Sequence, residues 1–201
     1  MYIAVEGIDG SGKSRLVQAL RRALEGVWPE GLVVVREPHL PATRPLFRRG
    51  LPPLGEFFLF NADRNALFRE VVGPALAEGK LVLSDRSYLS SLAYQVPLLD
   101  LEEAEAERLC LKATGGIRPT LWFLLDLPPE EAWERTRHRP QGEEAFLRER
   151  LQRVRERYLE LAAKDPKGVV LDARLPPVKL LGEALGKLEG LLWPKGKEAG
   201  L

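Results

Sequence analysis

The chain opens with a short apolar run, YIAVE, which leads into the glycine-rich segment GIDGSGKS at residues 7–14. Glycine backbones can turn tightly enough for successive N–H groups to face a single anion. The segment fits the pattern G-x-x-x-x-G-K-[ST], in which the loop cradles phosphates, the lysine reaches the β- and γ-phosphates and the hydroxyl ligates Mg²⁺. Because this loop has to join a strand to a helix, it predicts an α/β fold with a phosphate site after the first strand.

An ordinary glycine turn is the other interpretation of this segment. The apolar strand pattern before it and the helical pattern after it favour a nucleotide-binding loop. All loop residues are then expected to contact the triphosphate, namely Gly7, Ile8, Asp9, Gly10, Ser11, Gly12, Lys13 and Ser14. The motif by itself does not separate a kinase from a GTPase, an ATPase motor or an inactive binding module.

Apolar runs alternate with amphipathic stretches along the 201 residues, which is typical of a parallel sheet covered by helices. Strands are predicted at residues 2–6, 32–37, 80–85, 120–126 and 168–173, and helices at 13–24, 54–78, 101–114, 129–138, 143–164 and from near 176 to before 194. Continuous runs of Val, Leu and Ile suit strands that are buried on both faces. We therefore expect one three-layer α/β/α domain over residues 1–193 with a five-stranded parallel sheet, followed by a flexible tail over 194–201.

The charges of the chain nearly cancel, at a formal net charge of +1, which argues against a nucleic-acid surface or an anionic membrane as its partner. No apolar run approaches the ~20 residues of a membrane helix. The only cysteine, Cys110, cannot form an internal disulfide, and the helical pattern AERLCLKA around it indicates a small packing residue. These features predict a soluble, cytoplasmic protein.

Charged residues follow two of the predicted strands. Arg36 ends the second strand in VVVREP, and Asp85 and Arg86 end the third in LVLSDRSYLSS. Ligands of open α/β sheets bind at the carboxyl ends of strands, and phosphoryl transfer needs cations that hold two polyanions together. A surface salt bridge would explain one such arginine, but two at successive strand ends beside a phosphate loop favour a second anionic substrate.

Five segments of the chain resemble the bacterial thymidylate kinases, in the order and spacing of that family. They are EGIDGSGKS at 6–14, REP at 36–38, LFNADR at 59–64, DRSYLSSLAYQ at 85–95 and RVRERYLELAAKDP at 153–166. The resemblance implies a P-loop NTPase fold and transfer of the γ-phosphoryl group of ATP to dTMP, with Mg²⁺ as the cofactor. It also implies a homodimer formed through a helical face, for which the apolar stretch 54–68 is the candidate.

The resemblance places the acceptor nucleoside among five side chains. Phe60 would stack on thymine, and Arg64, four residues later on the same helical face, would hydrogen-bond the base edge. Ser91 would contact the base, while Tyr94 would pack under the sugar where a ribose 2′-hydroxyl would clash. Asp9 would accept a hydrogen bond from the 3′-hydroxyl. Core packing of the aromatics, helix N-terminal polarity of the serine and the turn preference of aspartate are the alternative explanations.

Three arginines, Arg36, Arg48 and Arg86, are the candidates for holding the acceptor phosphate, with Arg86 nearest the transferred group. Asp85 is the candidate for binding Mg²⁺ through water, beside the Ser14 hydroxyl. No catalytic base is required, because an oxygen of a monophosphate is already anionic. Catalysis is then expected to rest on positioning and on charge neutralisation.

The segment ERTRHRPQG carries three arginines at the end of a predicted helix and would begin a short lid over about residues 135–150. By folding over ATP, such a lid would exclude water and deliver an arginine to the transition state. The catalytic candidates are Lys13, Arg86, Arg135, Arg137 and Arg139. A solvated basic helix terminus is the alternative explanation of the lid arginines.

Three other functions stay open from the sequence. A kinase for another nucleoside monophosphate would share the loop and the arginines, although Phe60, Arg64 and Tyr94 favour a deoxypyrimidine. A deoxynucleoside kinase would need a carboxylate base, for which Glu37 is the candidate. A nucleotide-binding regulator without transfer is the third, since HLP at residues 39–41 replaces the Gly-Gly-Thr that usually follows REP in the family.

Overall fold

The structure is a computed structural model that describes residues 1–136 and 144–192, apart from the side chains of Arg48, residues 144–148 and Leu192. The strands in this part of the chain are β1 (Tyr2–Glu6), β2 (Leu32–Arg36), β3 (Leu81–Asp85), β4 (Leu121–Asp126) and β5 (Gly168–Asp172). They form one parallel sheet in the order β2-β3-β1-β4-β5. The predicted α/β fold with a five-stranded parallel sheet is therefore confirmed.

Helices connect the strands and cover the sheet. They are α1 (Lys13–Leu24), α2 (Arg44–Arg48), α3 (Pro53–Leu67), α4 (Gly73–Ala77), α5 (Tyr88–Tyr94), α6 (Glu103–Ala113), α7 (Pro129–Thr136), α8 (Glu144–Lys164) and α9 (Pro177–Leu192). Of these, the short helices α2 and α5 lie outside the helix ranges predicted from the sequence. No helix within the described ranges has the length and apolar character needed to cross a membrane.

The hydrophobic core lies on both faces of the central strands. Every residue of β1 and β3 is buried, and β4 buries its first five residues. Each of these strands has a strand on either side and helices above and below, which is why an uninterrupted apolar run is stable there. The charged exceptions are Glu6 and Asp85, which end β1 and β3 and are both buried. Two carboxylates are thus held inside the protein at the same edge of the sheet.

The stretch predicted as one helix over residues 54–78 is helical but changes its hydrogen-bonding pattern. A π-helical turn, Phe68–Val72, separates α3 from α4. The N–H of Gly73 donates to the carbonyl of Phe68, five residues earlier, and the next residue is Pro74, which has no N–H to donate. The wider turn lets the chain continue as a helix across a residue that would otherwise interrupt it.

The strand order brings three functional segments to one edge of the sheet. In the pairing register, Arg36 of β2 lies beside Asp85 of β3, and Asp85 lies beside Val5 of β1. The phosphate loop that follows β1 therefore emerges next to the Asp85–Arg86 pair. This edge is where open α/β sheets bind ligands.

Candidate active site

The loop from Gly7 to Gly12 has the backbone conformation that only glycine adopts without strain. Gly7, Gly10 and Gly12 have φ angles of 142°, 89° and 98°. A Cβ atom on Gly7 would lie 2.7 Å from the Leu125 carbonyl oxygen, and one on Gly10 would lie 2.5 Å from that of Ala132. The hydroxyl of Ser11 is buried and has no hydrogen-bond partner among the described residues. The backbone of Leu125 and Ala132 thus packs closely against the loop, and the Ser11 hydroxyl is available to donate to a ligand.

Lys13 begins α1 and its ammonium group folds back over the loop. Its Nζ donates to the carbonyl oxygens of Gly7 and Ile8, each at 2.9 Å, and lies 3.8 Å from the Asp9 carboxylate. Burial, followed by the positive charge of Arg86, lowers the pKa of Lys13 to about 7. An anion in the loop would stabilise the charged form, as expected of a phosphate-binding lysine.

The Ser14 hydroxyl donates to Asp85 Oδ2 at 2.5 Å, and Arg36 Nε lies 3.8 Å from the same oxygen. A hydroxyl and a carboxylate are hard oxygen donors that suit Mg²⁺. Within the described residues there is no group of three or more His, Cys, Asp or Glu side chains that could enclose a metal ion. The donor set therefore fits a magnesium ion that takes its other ligands from phosphates and water, rather than a metal held by protein alone.

A cavity of about 550 Å³, called here the main cavity, opens beside the phosphate loop. Seven residues predicted for the dTMP site line it: Asp9, Arg36, Phe60, Arg64, Arg86, Ser91 and Tyr94. Asp9 belongs to the phosphate loop itself, so the cavity and the loop are contiguous. The geometry thus provides two adjoining places for anions, one in the loop and one among the arginines.

Arg64 is held in place by an ion pair with Glu37 in the wall of the main cavity. Its Nε lies 3.1 and 3.0 Å from the two carboxylate oxygens of Glu37, and its Nη2 lies 2.8 Å from Oε2. Nη1 donates to Asn61 at 2.9 Å and Nη2 to the Ser91 hydroxyl at 3.1 Å. Both members of the pair are buried. The carboxylate considered as a base for a nucleoside hydroxyl is therefore already neutralised by a guanidinium group.

Phe60 and Tyr94, two of the three aromatic residues that line the main cavity, contribute to its apolar faces. The ring of Phe60 packs against the ring of Phe47, with centroids 4.2 Å apart and planes inclined by 31°. The ring of Tyr94 lies under the Arg86 guanidinium at 5.3 Å, and its hydroxyl is buried without a hydrogen-bond partner among the described residues. Burial raises the pKa of Tyr94 to about 12, so this wall stays uncharged at neutral pH.

Arg86 adopts a left-handed backbone conformation, with φ of 79°, and is the one residue other than glycine with positive φ in the described part of the chain. Such a conformation costs about 1 kcal/mol or more and is common at functional sites. Its guanidinium donates to the Asp9 carboxylate and, at 3.2 Å, to the Ser90 hydroxyl. The chain reversal after β3 thus turns this side chain back toward the phosphate loop.

The remaining predicted site residues lie elsewhere or outside the described residues. Arg135 does not line the main cavity; its Nη1 and Nη2 both donate to the Ala173 carbonyl oxygen at 3.2 Å. Arg48 lies in α2, but its side chain is outside the described part of the structure. Arg137 and Arg139 are likewise outside the described residues.

Sequence reasoning missed eight residues that line the main cavity: Pro38, Glu56, Ser90, Gln95, Trp133, Thr136, Arg150 and Leu151. Gln95 is the last residue of the DRSYLSSLAYQ segment and is buried at the end of α5. Its place in that segment could have marked it as a site residue. Trp133, Thr136, Arg150 and Leu151 come from α7 and α8. Thr136 and Arg150 lie within the predicted lid, but no local pattern marks any of the four as a cavity residue. They face the cavity only because these two helices pack beside α5 and the phosphate loop.

Comparison with known proteins agrees with this geometry. A family model described as thymidylate kinase matches residues 5–184. Thymidylate kinase of Cereibacter sphaeroides is 37% identical, with 95% of each chain covered, and that of Desulforudis audaxviator is 40% identical, with 83% of this chain and 79% of the relative covered. The crystal structure of thymidylate kinase from Ehrlichia chaffeensis superposes with a TM-score of 0.74 at 26% identity, covering 94% of this chain and 98% of the other. The chain therefore belongs to the thymidylate kinase family, whose enzymes use ATP to phosphorylate dTMP to dTDP.

Proposed function

We propose that this chain is a thymidylate kinase that binds ATP in the phosphate loop and dTMP in the main cavity. The observation that carries the proposal is the position of Asp9 and Arg86. Asp9 is part of the loop and lines the main cavity, and Arg86 pairs with it from the cavity side. Two phosphate groups bound on either side of this pair would meet at their reacting ends.

The thymine base would bind between Phe60 and the polar ends of three buried side chains. Arg64 is held rigidly by Glu37, and Ser91 and Gln95 lie close by on α5. Together these groups offer guanidinium and amide donors and amide and hydroxyl acceptors, which match the alternating carbonyls and N–H of thymine. Fixed polar partners of this kind discriminate strongly, because a wrong base leaves them unpaired.

The sugar and the acceptor phosphate would lie toward the loop. Tyr94 presents a neutral ring under the sugar, where an added 2′-hydroxyl would meet its face, and Asp9 would accept from the 3′-hydroxyl. Arg36 and Arg86 would hold the phosphate, as is usual for bidentate recognition by guanidinium groups. An acceptor oxygen that is already anionic needs no base, so these residues act by alignment and charge neutralisation.

Ser14 and Asp85 are the residues that would hold Mg²⁺, the latter through water. When bound with ATP, the ion supplies positive charge to the β- and γ-phosphate oxygens. Lys13 reaches across the loop toward the same phosphates and would stabilise the charge that spreads over the moving phosphoryl group.

A lid over about residues 135–150 and a single domain over 1–193 are part of the same proposal. The lid would contribute an arginine from the set Arg135, Arg137 and Arg139. In Arg135, a swing of the guanidinium away from the Ala173 carbonyl would be needed to reach the phosphates. The charge balance and the unpaired Cys110 favour a cytoplasmic enzyme.

We also propose a homodimer formed through α3. Two of its apolar side chains, Leu54 and Phe58, are 47% and 52% exposed, whereas Phe57 and Leu67 on the same helix are fully buried. Sedimentation analysis of the protein and of a Phe58→Glu variant tests this. A dimer that the variant converts to a monomer is expected, and a monomeric wild type would refute the proposal.

The catalytic proposal is tested by following ADP formation with a panel of acceptors. We expect turnover with dTMP to exceed that with dUMP, CMP, AMP and thymidine, and we expect Lys13→Ala to lose it. Equal rates with all four monophosphates would defeat the thymine assignment. A preference for thymidine over dTMP would instead indicate a nucleoside kinase, which the Glu37–Arg64 ion pair argues against.

A further inference from the structure

A buried carboxylate outside the proposed chemistry lies at the centre of the active-site edge. Glu6 ends β1, directly before the phosphate loop, and is fully buried. Its Oε1 accepts from the backbone N–H and the hydroxyl of Ser87, at 2.6 and 2.7 Å. Its Oε2 accepts from the hydroxyls of Ser90 and Tyr158, at 2.7 and 2.8 Å. Four donors from α5, its N-cap and α8 thus converge on one side chain.

The hydroxyl groups of this network join the Glu6 carboxylate to α5 and to Arg86. Ser87 Oγ donates to Glu6 and accepts from the Leu89 N–H, which makes it the N-cap of α5. Ser90 Oγ donates to Glu6 and accepts from Arg86 Nη1 at 3.2 Å. Ser90 Oγ also lies 2.9 Å from the Tyr158 hydroxyl, where either oxygen can donate, and its lone pairs are available to the guanidinium. The Ser90 hydroxyl therefore connects the Glu6 carboxylate to the Arg86 guanidinium through two hydrogen bonds.

Placing the Glu6 carboxylate at this buried position costs folding free energy. Burial raises the pKa of Glu6, which means that the charged form is disfavoured there, and an apolar or neutral side chain would avoid that cost. Buried polar groups that are fully hydrogen-bonded make a local arrangement rigid and specific. What the network makes rigid is the turn that carries Arg86 in its left-handed conformation.

We propose that Glu6 is a positioning residue for phosphoryl transfer, which holds the Arg86 guanidinium through the Ser90 hydroxyl at the junction of the phosphate loop and the main cavity. This inference rests on the proposed function, since it assigns a role in the same reaction. Arg86 has a long side chain with several rotamers, and its partner Asp9 is half exposed. Besides the Tyr94 ring, the half-buried Ser90 hydroxyl supplies a further point of attachment, so that the guanidinium meets the acceptor phosphate already oriented.

Steady-state kinetics of Ser90→Ala tests this role. Loss of the contact should lower kcat about tenfold and leave the KM for ATP within about twofold of the wild type. Tyr158→Phe is the comparison variant. It removes another donor from Glu6 and the 2.9 Å contact with the Ser90 hydroxyl but leaves Ser90 bonded to Arg86, so its kcat should fall clearly less than that of Ser90→Ala. Thr114→Val removes a buried hydroxyl at the end of α6 and controls for general loss of stability. Wild-type kcat in Ser90→Ala, or an equal loss in Tyr158→Phe, would overturn the proposal.

A double-mutant cycle shows whether Glu6 acts through Arg86. In Arg86→Lys, which keeps the charge but not the bidentate geometry, adding Glu6→Gln should change kcat by less than about twofold, although Glu6→Gln alone lowers it. If the double variant instead shows the product of the two single-variant losses in kcat, the positioning role of Glu6 is overturned. If Glu6→Gln does not fold, the cycle is run with Ser90→Ala in its place. Absence of dTDP formation by the wild type would instead overturn the proposed function, so the two failures are distinguishable.

Discussion

Glu37 holds Arg64 through three contacts between 2.8 and 3.1 Å, and neither side chain is more than 3% exposed. The pair joins the REP segment after β2 to α3, at the wall of the main cavity. Two further N–H groups of the guanidinium contact Asn61 and Ser91, which leaves one N–H of Nη1 outside these contacts. A base that bonds Arg64 would therefore meet a group whose orientation is already fixed.

Glu37→Gln is expected to destabilise the fold by about 3 kcal/mol, because it leaves the Arg64 charge buried without a counter-charge. The variant should also raise the KM for dTMP more than that for ATP. Denaturant unfolding and steady-state kinetics measure the two effects. Glu149→Gln is the control, since it breaks the exposed pair with Arg153 and should change stability by less than about 0.5 kcal/mol. Equal stabilities of the two variants would contradict the assignment of Glu37–Arg64 as a structural ion pair.

Gln95→Leu should weaken dTMP binding about tenfold, since it removes a buried amide of the main cavity while keeping much of its volume. Calorimetric titration with dTMP measures the change. Asn65→Leu removes an amide that bonds the Ala113 carbonyl outside the main cavity, and it should bind dTMP normally. Unchanged affinity in Gln95→Leu would exclude the amide from base recognition.

Arg150 lines the main cavity, and we expect its guanidinium to contact the phosphate rather than the base. Arg150→Met should therefore weaken dTMP binding about tenfold but leave thymidine binding unchanged. Arg153→Met is a control on the same helix. Arg153 is exposed, pairs with Glu149 and does not line the main cavity. An equal loss of affinity for dTMP and thymidine in Arg150→Met would show that Arg150 does not read the phosphate.

Alkaline pH should unfold the protein before its tyrosines ionise. The chain has four tyrosines. Burial raises the pKa of Tyr88 and Tyr94 to about 12 and those of Tyr2 and Tyr158 above their ordinary value of 10. Between pH 10 and 12 the folded state therefore keeps protons that the unfolded state releases, so the free energy of unfolding falls as pH rises.

Tyrosinate absorbance and circular dichroism, recorded on the same alkaline titration, measure this effect. The two signals should change together, at a pH above the midpoint of tyrosine ionisation in the denatured chain. Ionisation of all four tyrosines near pH 10 with a native dichroism spectrum would contradict their burial.

The local segments of the site were predictable because their geometry depends on neighbours in the sequence. The glycines at 7, 10 and 12 and the Lys13–Ser14 pair form a loop whose backbone is determined within a few residues. Phe60 and Arg64 share a helical face for the same reason. The alternating apolar runs were enough to predict the parallel α/β sheet, which the strand order confirms. The roles proposed for individual residues stay predictions until the variants are measured.

The contacts that orient these groups depend on the tertiary structure. Glu37 and Arg64 are 27 positions apart, and Glu6 and Tyr158 are 152 apart. Their pairing follows from the order of β2, β3 and β1 and from the packing of α8 on α5, neither of which is encoded in any short segment. Arg150 reaches the main cavity for the same reason. Sequence by itself therefore determined which chemistry the chain carries, while long-range packing decided which buried partners hold each charged group in place.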